Sequence, residues 1–293
     1  MEHFSRGSQG VNSAIVHIRL LFTIPYPDLA MERLVAIGFT AFAIEGHVLT
    51  AWPTNDADGA AITSALGCEA TERRELTHTD VYADVIPAGT WEVAPGCWVI
   101  SGEAEPPSCP VHALIRMPVG GGFGDGQHPA TSLACALIAQ LSTDGALTGT
   151  RVLDLGCGTG LLGVLAWKLG AARVDFSDVD LDSVRHTQAC CAANEVTSNG
   201  HAAEVFQSDL LADLPERTYD LLIANLYGEF LVAMLGDLRL SGYLPRGRLV
   251  LSGISEGKRA MVESALDRAG FHIDRRLEHR TNDASWWGLL ASR

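Results

Sequence analysis

The residues of this chain that could do chemistry are carboxylates, amides and hydroxyls set beside glycine turns. The densest group runs Val152-Leu153-Asp154-Leu155-Gly156-Cys157-Gly158-Thr159-Gly160, with Asp178 near the end of the next apolar run. It reads as a buried strand, a glycine turn, a helix and a second strand ending in acids, the first half of a nucleotide-binding α/β unit. Glycines let the backbone turn sharply and let a ligand lie against the main chain where a Cβ would stand. A carboxylate on the following strand can take both hydroxyls of a ribose. The pattern points to an adenosine-containing cofactor.

Two cofactors compete for it. Gly158-Thr159-Gly160-Leu161-Leu162-Gly163 satisfies the dinucleotide pattern G-x-G-x-x-G, with Asp178 or Asp180 about 20 residues on. The glycines start earlier, however, as Asp154 followed by Gly156, Gly158 and Gly160. An acid at the strand end repels a pyrophosphate and suits a ligand carrying an ammonium and a sulfonium, as S-adenosylmethionine does. A turn serving only helix–sheet packing sits poorly with three glycines framed by Asp154 and Asp178.

Three further segments carry candidate groups. Gly120 to Thr131 is a glycine-rich, polar-tipped loop running into a helix. Its glycines could wrap a ligand and the Thr131 hydroxyl could bind one; equally, Pro129, Thr131 and Ser132 make an ordinary helix start. His128 in this loop is a candidate proton acceptor, with a structural or solvated histidine as the alternative. Leu221 to Gly228 reads as an apolar strand ending in Asn225 at the sheet's carboxyl edge, where ligands bind in such sheets. An amide there could hold an amine's hydrogens and align its lone pair. Asp209 could reach an adenine amino group or cap a helix at Leu210-Leu211.

These residues need a scaffold, and strand–helix alternation from Val152 onward predicts one. Segments at 152–155, 161–169, 174–176, 183–194, 204–206, 219–224, 230–238, 248–251 and 260–269 alternate regularly, which means a parallel sheet with helices on both faces. The last two alternating segments, Ile273 to Leu277 and Ser285 to Leu290, follow each other without a helix and should form an antiparallel hairpin at the sheet edge. That ending separates the methyltransferase variant of the fold from the dehydrogenase one.

Upstream, Val16 to Phe22, Asp28 to Ile37, Ala41 to Glu45, Val48 to Trp52, Ala60 to Leu66 and Glu69 to Arg74 read as β-α-β-β-α-β, a small split βαβ sandwich. The expected organisation is a small N-terminal α+β domain over 14–85, a linker with a strand or two over 86–110, and a larger α/β domain over 111–293. Residues 1–13 are polar, lack the apolar centre of a secretion signal and read as a disordered lead-in.

The chain has 293 residues, is 47% hydrophobic and 19% charged, and carries a net charge of −14, a globular composition that would repel nucleic acid unless the chain carried a local basic patch. An acidic enzyme instead draws in a basic substrate. No apolar run reaches bilayer-spanning length. Seven scattered cysteines show no C-x-x-C pair and no zinc spacing, which suits reduced thiols in a cytoplasm and gives no metal site.

The loop Phe123-Gly124-Asp125-Gly126-Gln127-His128-Pro129-Ala130-Thr131 resembles the Phe-Gly-Thr-Gly-x-His-x-Thr-Thr signature of the ribosomal-protein lysine methyltransferases, the PrmA family. Val152 to Gly160, Asp178-Val179-Asp180, Asn225-Leu226, Leu251-Ser252-Gly253-Ile254 and the closing Trp286-Trp287 resemble further segments of that family. The resemblance implies a Rossmann-like, seven-stranded class I methyltransferase domain with a small ferredoxin-like N-terminal domain. It implies S-adenosylmethionine as cofactor, held by Thr131, Gly156, Asp178 and Asn225; Phe123, Asp154, Gly158, Gly160 and Asp209 are the further candidate cofactor-binding residues. Asp125 stands where the family has Thr, Ala130 where it has the first Thr of the pair, and Gly120 to Gly122 lengthen the flexible run.

The chemistry implied is in-line attack of a neutral amine nitrogen on the sulfonium methyl, with Asn225 aligning and His128 available to accept the proton. A basic protein, ribosomal or not, is the first candidate acceptor, and a small amine or natural-product peptide the second. An NAD-dependent dehydrogenase or a cofactor-binding regulator is the reading from another class.

Overall fold

The computed structural model describes residues 17–39, 42–45, 47–51, 53, 56–76, 86, 88–119, 124–196, 203–281 and 284–293. The chain divides into two compact units between residues 84 and 85.

In the first unit the order is β1 (His17–Thr23), α1 (Pro27–Ala36), β2 (Phe42–Glu45), β3 (Val48–Ala51), α2 (Asp56–Leu66) and β4 (Glu72–Leu76). Its antiparallel sheet has the order β2-β3-β1-β4, the split βαβ arrangement that the sequence predicts. Ile18, Leu20 and Phe22 alternate inward from β1, while Ala30, Met31 and Leu34 of α1 and Ile62 and Leu66 of α2 are buried at helical spacing.

The second unit opens with a three-stranded sheet: β5 (Gly89–Ala94), β6 (Cys97–Ser101) and β7 (Ala113–Met117), ordered β5-β6-β7. The stretch 86–110, which reads from sequence as a linker with a strand or two, holds β5 and β6. Val93, Cys97, Val99, Ala113 and Ile115 are buried in one core with Leu137, Ile138, Leu161 and Leu165 of the larger domain. The glycines that read as linker, Gly96 and Gly102, have positive φ and mark turns between strands.

There follow α3 (Pro129–Thr143), β8 (Arg151–Leu155), α4 (Leu161–Lys168), β9 (Arg173–Asp178), α5 (Leu181–Ala193), β10 (Glu204–Gln207), β11 (Leu221–Asn225), α6 (Gly228–Gly236), α7 (Leu240–Tyr243), β12 (Arg248–Ser255), α8 (Glu256–Arg268), β13 (His272–Arg280) and β14 (Ser285–Ser292). Seven strands form one sheet in the order β10-β9-β8-β11-β12-β14-β13. The first five run parallel, and β14 pairs antiparallel with both β12 and β13. Val152 to Leu155, Leu221 to Ala224 and Leu249 to Leu251 are buried throughout, as strands covered on both faces must be.

Counted from the first strand of this sheet, the order is 3-2-1-4-5-7-6, whereas dinucleotide-binding sheets run 3-2-1-4-5-6. The closing hairpin stands where the sequence predicts it. Its outer strand β13 is largely exposed, and Arg276 meets Glu263 at 2.9 Å. Among the described residues, no helix is long and apolar enough to cross a membrane.

Candidate active site

The carboxyl ends of β8, β9 and β11 gather most of the candidate residues. Past Leu155 the chain turns through Gly156, Gly158 and Gly160, all with left-handed φ, and Gly160 caps α4. Glycine is required at 156, where a Cβ would overlap the Leu226 side chain beyond the end of β11. The turn therefore packs directly against the strand that presents Asn225.

Asp178 ends β9 and closes the turn. Its Oδ2 accepts from the Gly158 amide at 2.9 Å and its Oδ1 from the Asp180 amide at 3.0 Å. Each carboxylate oxygen keeps a further lone pair, so two hydroxyls can still be accepted. Burial raises the Asp178 pKa, against the downward pull of these amide bonds. The sequence points to Asp178 as the ribose acid, with Asp180 beside it in the same motif. Asp180 is the N-cap of α5, accepting from the amides of Asp182 at 3.2 Å and Ser183 at 3.1 Å.

Asp154 is fully buried one position before the end of β8. Its Oδ2 accepts from the Gly163 amide at 2.8 Å, and its Oδ1 has no hydrogen-bond partner. Desolvation pushes its pKa up to about 7, the Gly163 bond opposes this, and the charge of Asp178 adds to it.

Asn225 ends β11 and donates from Nδ2 to Thr131 Oγ1 at 3.1 Å, while its own Oδ1 is buried without a partner. Thr131 is wholly buried in the first turn of α3. The neighbouring strand fixes this arrangement. Ser252, in register with Asn225, donates to the Ala130 carbonyl at 2.7 Å, and the Leu226 amide donates to the Ser252 carbonyl at 3.1 Å.

The loop before α3 is described from Gly124. Phe123 and Gly120 to Gly122 lie outside the described residues. Thr159 of the glycine turn donates to the Gly124 carbonyl at 2.8 Å, and the Trp91 indole donates to the Asp125 carbonyl at 3.0 Å. The Asp125 carboxylate folds onto Gln127, accepting from its amide at 2.9 Å and its side chain at 2.8 Å.

His128 is the N-cap of α3, its Nδ1 accepting from the Ala130 amide at 3.2 Å, and its ring meets Trp286 edge-on at 4.8 Å between centroids. Burial lowers its pKa; Asp125 opposes this and His279 adds to it. A neutral imidazole that accepts at Nδ1 carries its proton on Nε2. His128 in this state has no lone pair left for an amine's proton, so the geometry favours the cap over the acid–base role. The helix start expected at Thr131 and Ser132 thus belongs to His128.

Asp209 is exposed in a turn after β10, and no helix follows at Leu210-Leu211. The helix-cap alternative for it is therefore absent, and its main-chain carbonyl accepts from the Ala212 amide at 3.0 Å. Sequence reasoning gave no role to Thr159, Trp91 or Ser252. Thr159 and Ser252 sat inside motifs as unremarked positions, and Trp91 lay in the presumed linker.

Polar atoms with unused capacity here include the acceptors Asp154 Oδ1 and Asn225 Oδ1 and the outer lone pairs of Asp178. An acceptor-rich site complements hydroxyls and a cationic ligand and repels a pyrophosphate. These residues fit S-adenosylmethionine, and the sheet order is that of the class I methyltransferase fold. A crystal structure described as ribosomal protein L11 methylase from Lactobacillus delbrueckii subsp. bulgaricus superimposes with a TM-score of 0.59 at 26% identity, covering 70% of this chain and 98% of that one.

Residues 91–293 match the family Ribosomal protein L11 methyltransferase (PrmA), and the chain belongs to that family. A ribosomal protein L11 methyltransferase of Desulfosudis oleivorans is 35% identical over 184 residues, 63% of this chain and 58% of the relative. One from Xylella fastidiosa is 40% identical over 151 residues, 51% of this chain and 47% of the relative. The chain thus spans about half the length of the curated relatives it matches.

Proposed function

We propose that this chain is an S-adenosylmethionine-dependent N-methyltransferase of protein amines, a lysine side chain or an N-terminal amine, with a ribosomal protein as the first acceptor to test. The observation that carries it is the cluster of unfilled acceptors at the carboxyl sheet edge, Asp154 Oδ1 and Asn225 Oδ1 beside Asp178. Membership of the PrmA family and relatives named for ribosomal protein L11 support the acceptor class. The net charge of −14 favours encounter with a basic partner. All seven cysteines are unpaired, which fits a reducing cytoplasmic setting.

When bound, S-adenosylmethionine supplies an electrophilic methyl on sulfur. Asp178 receives the ribose hydroxyls, and the glycine turn brings main chain rather than side chains to the ligand. Asp154, ionised, answers the positive charge of the ligand's methionine end. Asn225, held by Thr131, offers Oδ1 to an N–H of the acceptor amine and so turns the amine's lone pair toward the methyl. Alignment of this kind converts an encounter into a near-attack geometry. The acceptor must arrive neutral, since a lysine ammonium has an ordinary pKa of about 10.4 and no lone pair. Exclusion of water at the buried edge favours that neutral form.

The test is transfer of isotopically labelled methyl groups from S-adenosylmethionine to ribosomal proteins stripped of prior methylation, read by mass spectrometry. Label on lysine or N-terminal nitrogen supports the reading; label confined to small molecules would replace the protein acceptor.

A further inference from the structure

The sheet β5-β6-β7, whose first two strands lie in the stretch that reads from sequence as a linker with a strand or two, makes two specific contacts with the loop that leads into α3. The Trp91 indole N–H donates to the Asp125 carbonyl at 3.0 Å. One residue further along the loop, Gly126 has φ of +99°, and a Cβ there would overlap Val93 Cγ1. The register of β5 against β6 shifts between Glu92 and Ala94, a bulge at Val93. Bulges re-aim side chains, and this one leaves Val93 pressed against the loop. From the other side, Thr159 of the glycine turn donates to the Gly124 carbonyl at 2.8 Å. Three consecutive loop residues, 124 to 126, are therefore gripped between β5 and the glycine turn.

What lies immediately downstream gives the grip its consequence. Ser132 donates to the carbonyls of Gly126 at 3.1 Å and His128 at 3.2 Å, so the loop is stitched to the first turn of α3. That turn carries Thr131, whose hydroxyl receives the Asn225 amide. Displacement of Asp125 or Gly126 is thus relayed through Ser132 to Thr131 and to the amide that faces the acceptor amine.

We propose that Trp91 is a positioning residue for methyl transfer: its indole N–H holds the 124–128 loop so that α3 presents Thr131 to Asn225. It acts through the loop and touches neither ligand nor reacting atoms. The proposal rests on the methyltransferase reading for its kinetic consequence, though not for its structural one.

Trp91→Phe keeps an aromatic ring and deletes the N–H together with part of the indole's bulk, so a control must lose the same bulk without losing a bond. The control is Trp98→Phe in the adjacent strand, because the Trp98 indole nitrogen is buried without a partner and its loss removes no bond. In the full-length chain, Trp91→Phe is expected to lower kcat for labelled methyl transfer about two- to ten-fold, the effect of one ordinary hydrogen bond. It should also speed hydrogen exchange at the amides of Gln127 and Ala130, which are bonded within the loop. Trp98→Phe should change neither. Thr159→Val approaches the same loop from the opposite side, and its effect combined with Trp91→Phe should depart from the product of the two single effects, as for groups sharing one element.

Unchanged loop exchange and turnover in Trp91→Phe would overturn the proposal, as would equal loosening by Trp98→Phe. If the wild-type chain transferred no methyl at all, the functional reading would fail, while loop exchange in the variants would still decide the role of Trp91.

Discussion

Asn225 and Thr131 stand 94 positions apart in the chain, and the Asn225 amide donates to the Thr131 hydroxyl at 3.1 Å. The bond uses one N–H of the amide and leaves its acceptor end, Oδ1, unsatisfied. Buried acceptors without partners cost about 1–3 kcal/mol, so the arrangement favours any ligand bringing an N–H to that point. Thr131→Val removes the hydroxyl at nearly constant volume and frees the amide to rotate. Turnover is expected to fall roughly ten-fold or more, with a smaller change in S-adenosylmethionine affinity, and Thr131→Ser should restore most of the loss. Steady-state kinetics beside binding calorimetry reads the split; wild-type turnover in Thr131→Val would remove the pair from the site.

Asp178→Ala should lose S-adenosylmethionine binding by about a hundred-fold or more, since two hydrogen bonds to a charged acceptor contribute about 1.5–3 kcal/mol each. The same carboxylate holds the amides of Gly158 and Asp180, so the variant should also melt lower. Binding is therefore to be measured well below the melting temperature, with circular dichroism as the check on folding.

Gly253 has φ of +82°, and a Cβ there would overlap the Leu226 carbonyl oxygen, a main-chain atom that cannot swing away. Gly253→Ala should destabilise the second unit by roughly 2 kcal/mol or more, visible as a lowered urea midpoint. Gly242, in α7, has open space around it and no positive φ. Gly242→Ala should be neutral or slightly stabilising.

The buried carboxyl of Asp154 gives a pH dependence with a definite sign. Its pKa is about 7 in the folded chain against 3.8 ordinarily, so between those values the folded state holds a proton that the unfolded state releases. The contribution of this group to stability is most favourable below pH 4 and is lost as pH rises through 7. A cationic ligand favours the ionised form, so S-adenosylmethionine affinity should rise across the same interval and level off above it. Asp154→Asn should flatten both dependences in urea titrations and calorimetry run from pH 5 to 9. An unchanged affinity profile in that variant would dissociate Asp154 from the ligand.

The architecture was legible wherever a period repeated. Buried parallel strands such as Leu221 to Ala224 leave unbroken apolar runs, and the absence of a helix between the last two strands announced the closing hairpin. Strand β7 was not legible, since its only signal is Ala113, Ile115 and Met117 at alternate positions between glycine- and proline-rich stretches. Glycine types could be read but not their geometry, so segment 86–110 reads as a linker with a strand or two, and its packing into the larger core is visible only in the structure. At the site, residue types marked Asp178, Asn225 and Thr131, whereas the capping of α5 by Asp180 depends on which carboxylate meets the helix start. Nothing in the sequence shows that the His128 lone pair is spent on the Ala130 amide.

The central claim is that the acceptor-lined edge around Asp178 and Asn225 takes S-adenosylmethionine. The most direct measurement is isothermal calorimetry of the wild-type chain and Asp178→Ala with S-adenosylmethionine and with NAD, in parallel. Saturable binding of S-adenosylmethionine that is lost in Asp178→Ala, with no heat from NAD, is the expected result. Binding of NAD, or S-adenosylmethionine affinity unchanged in a folded Asp178→Ala, would contradict it.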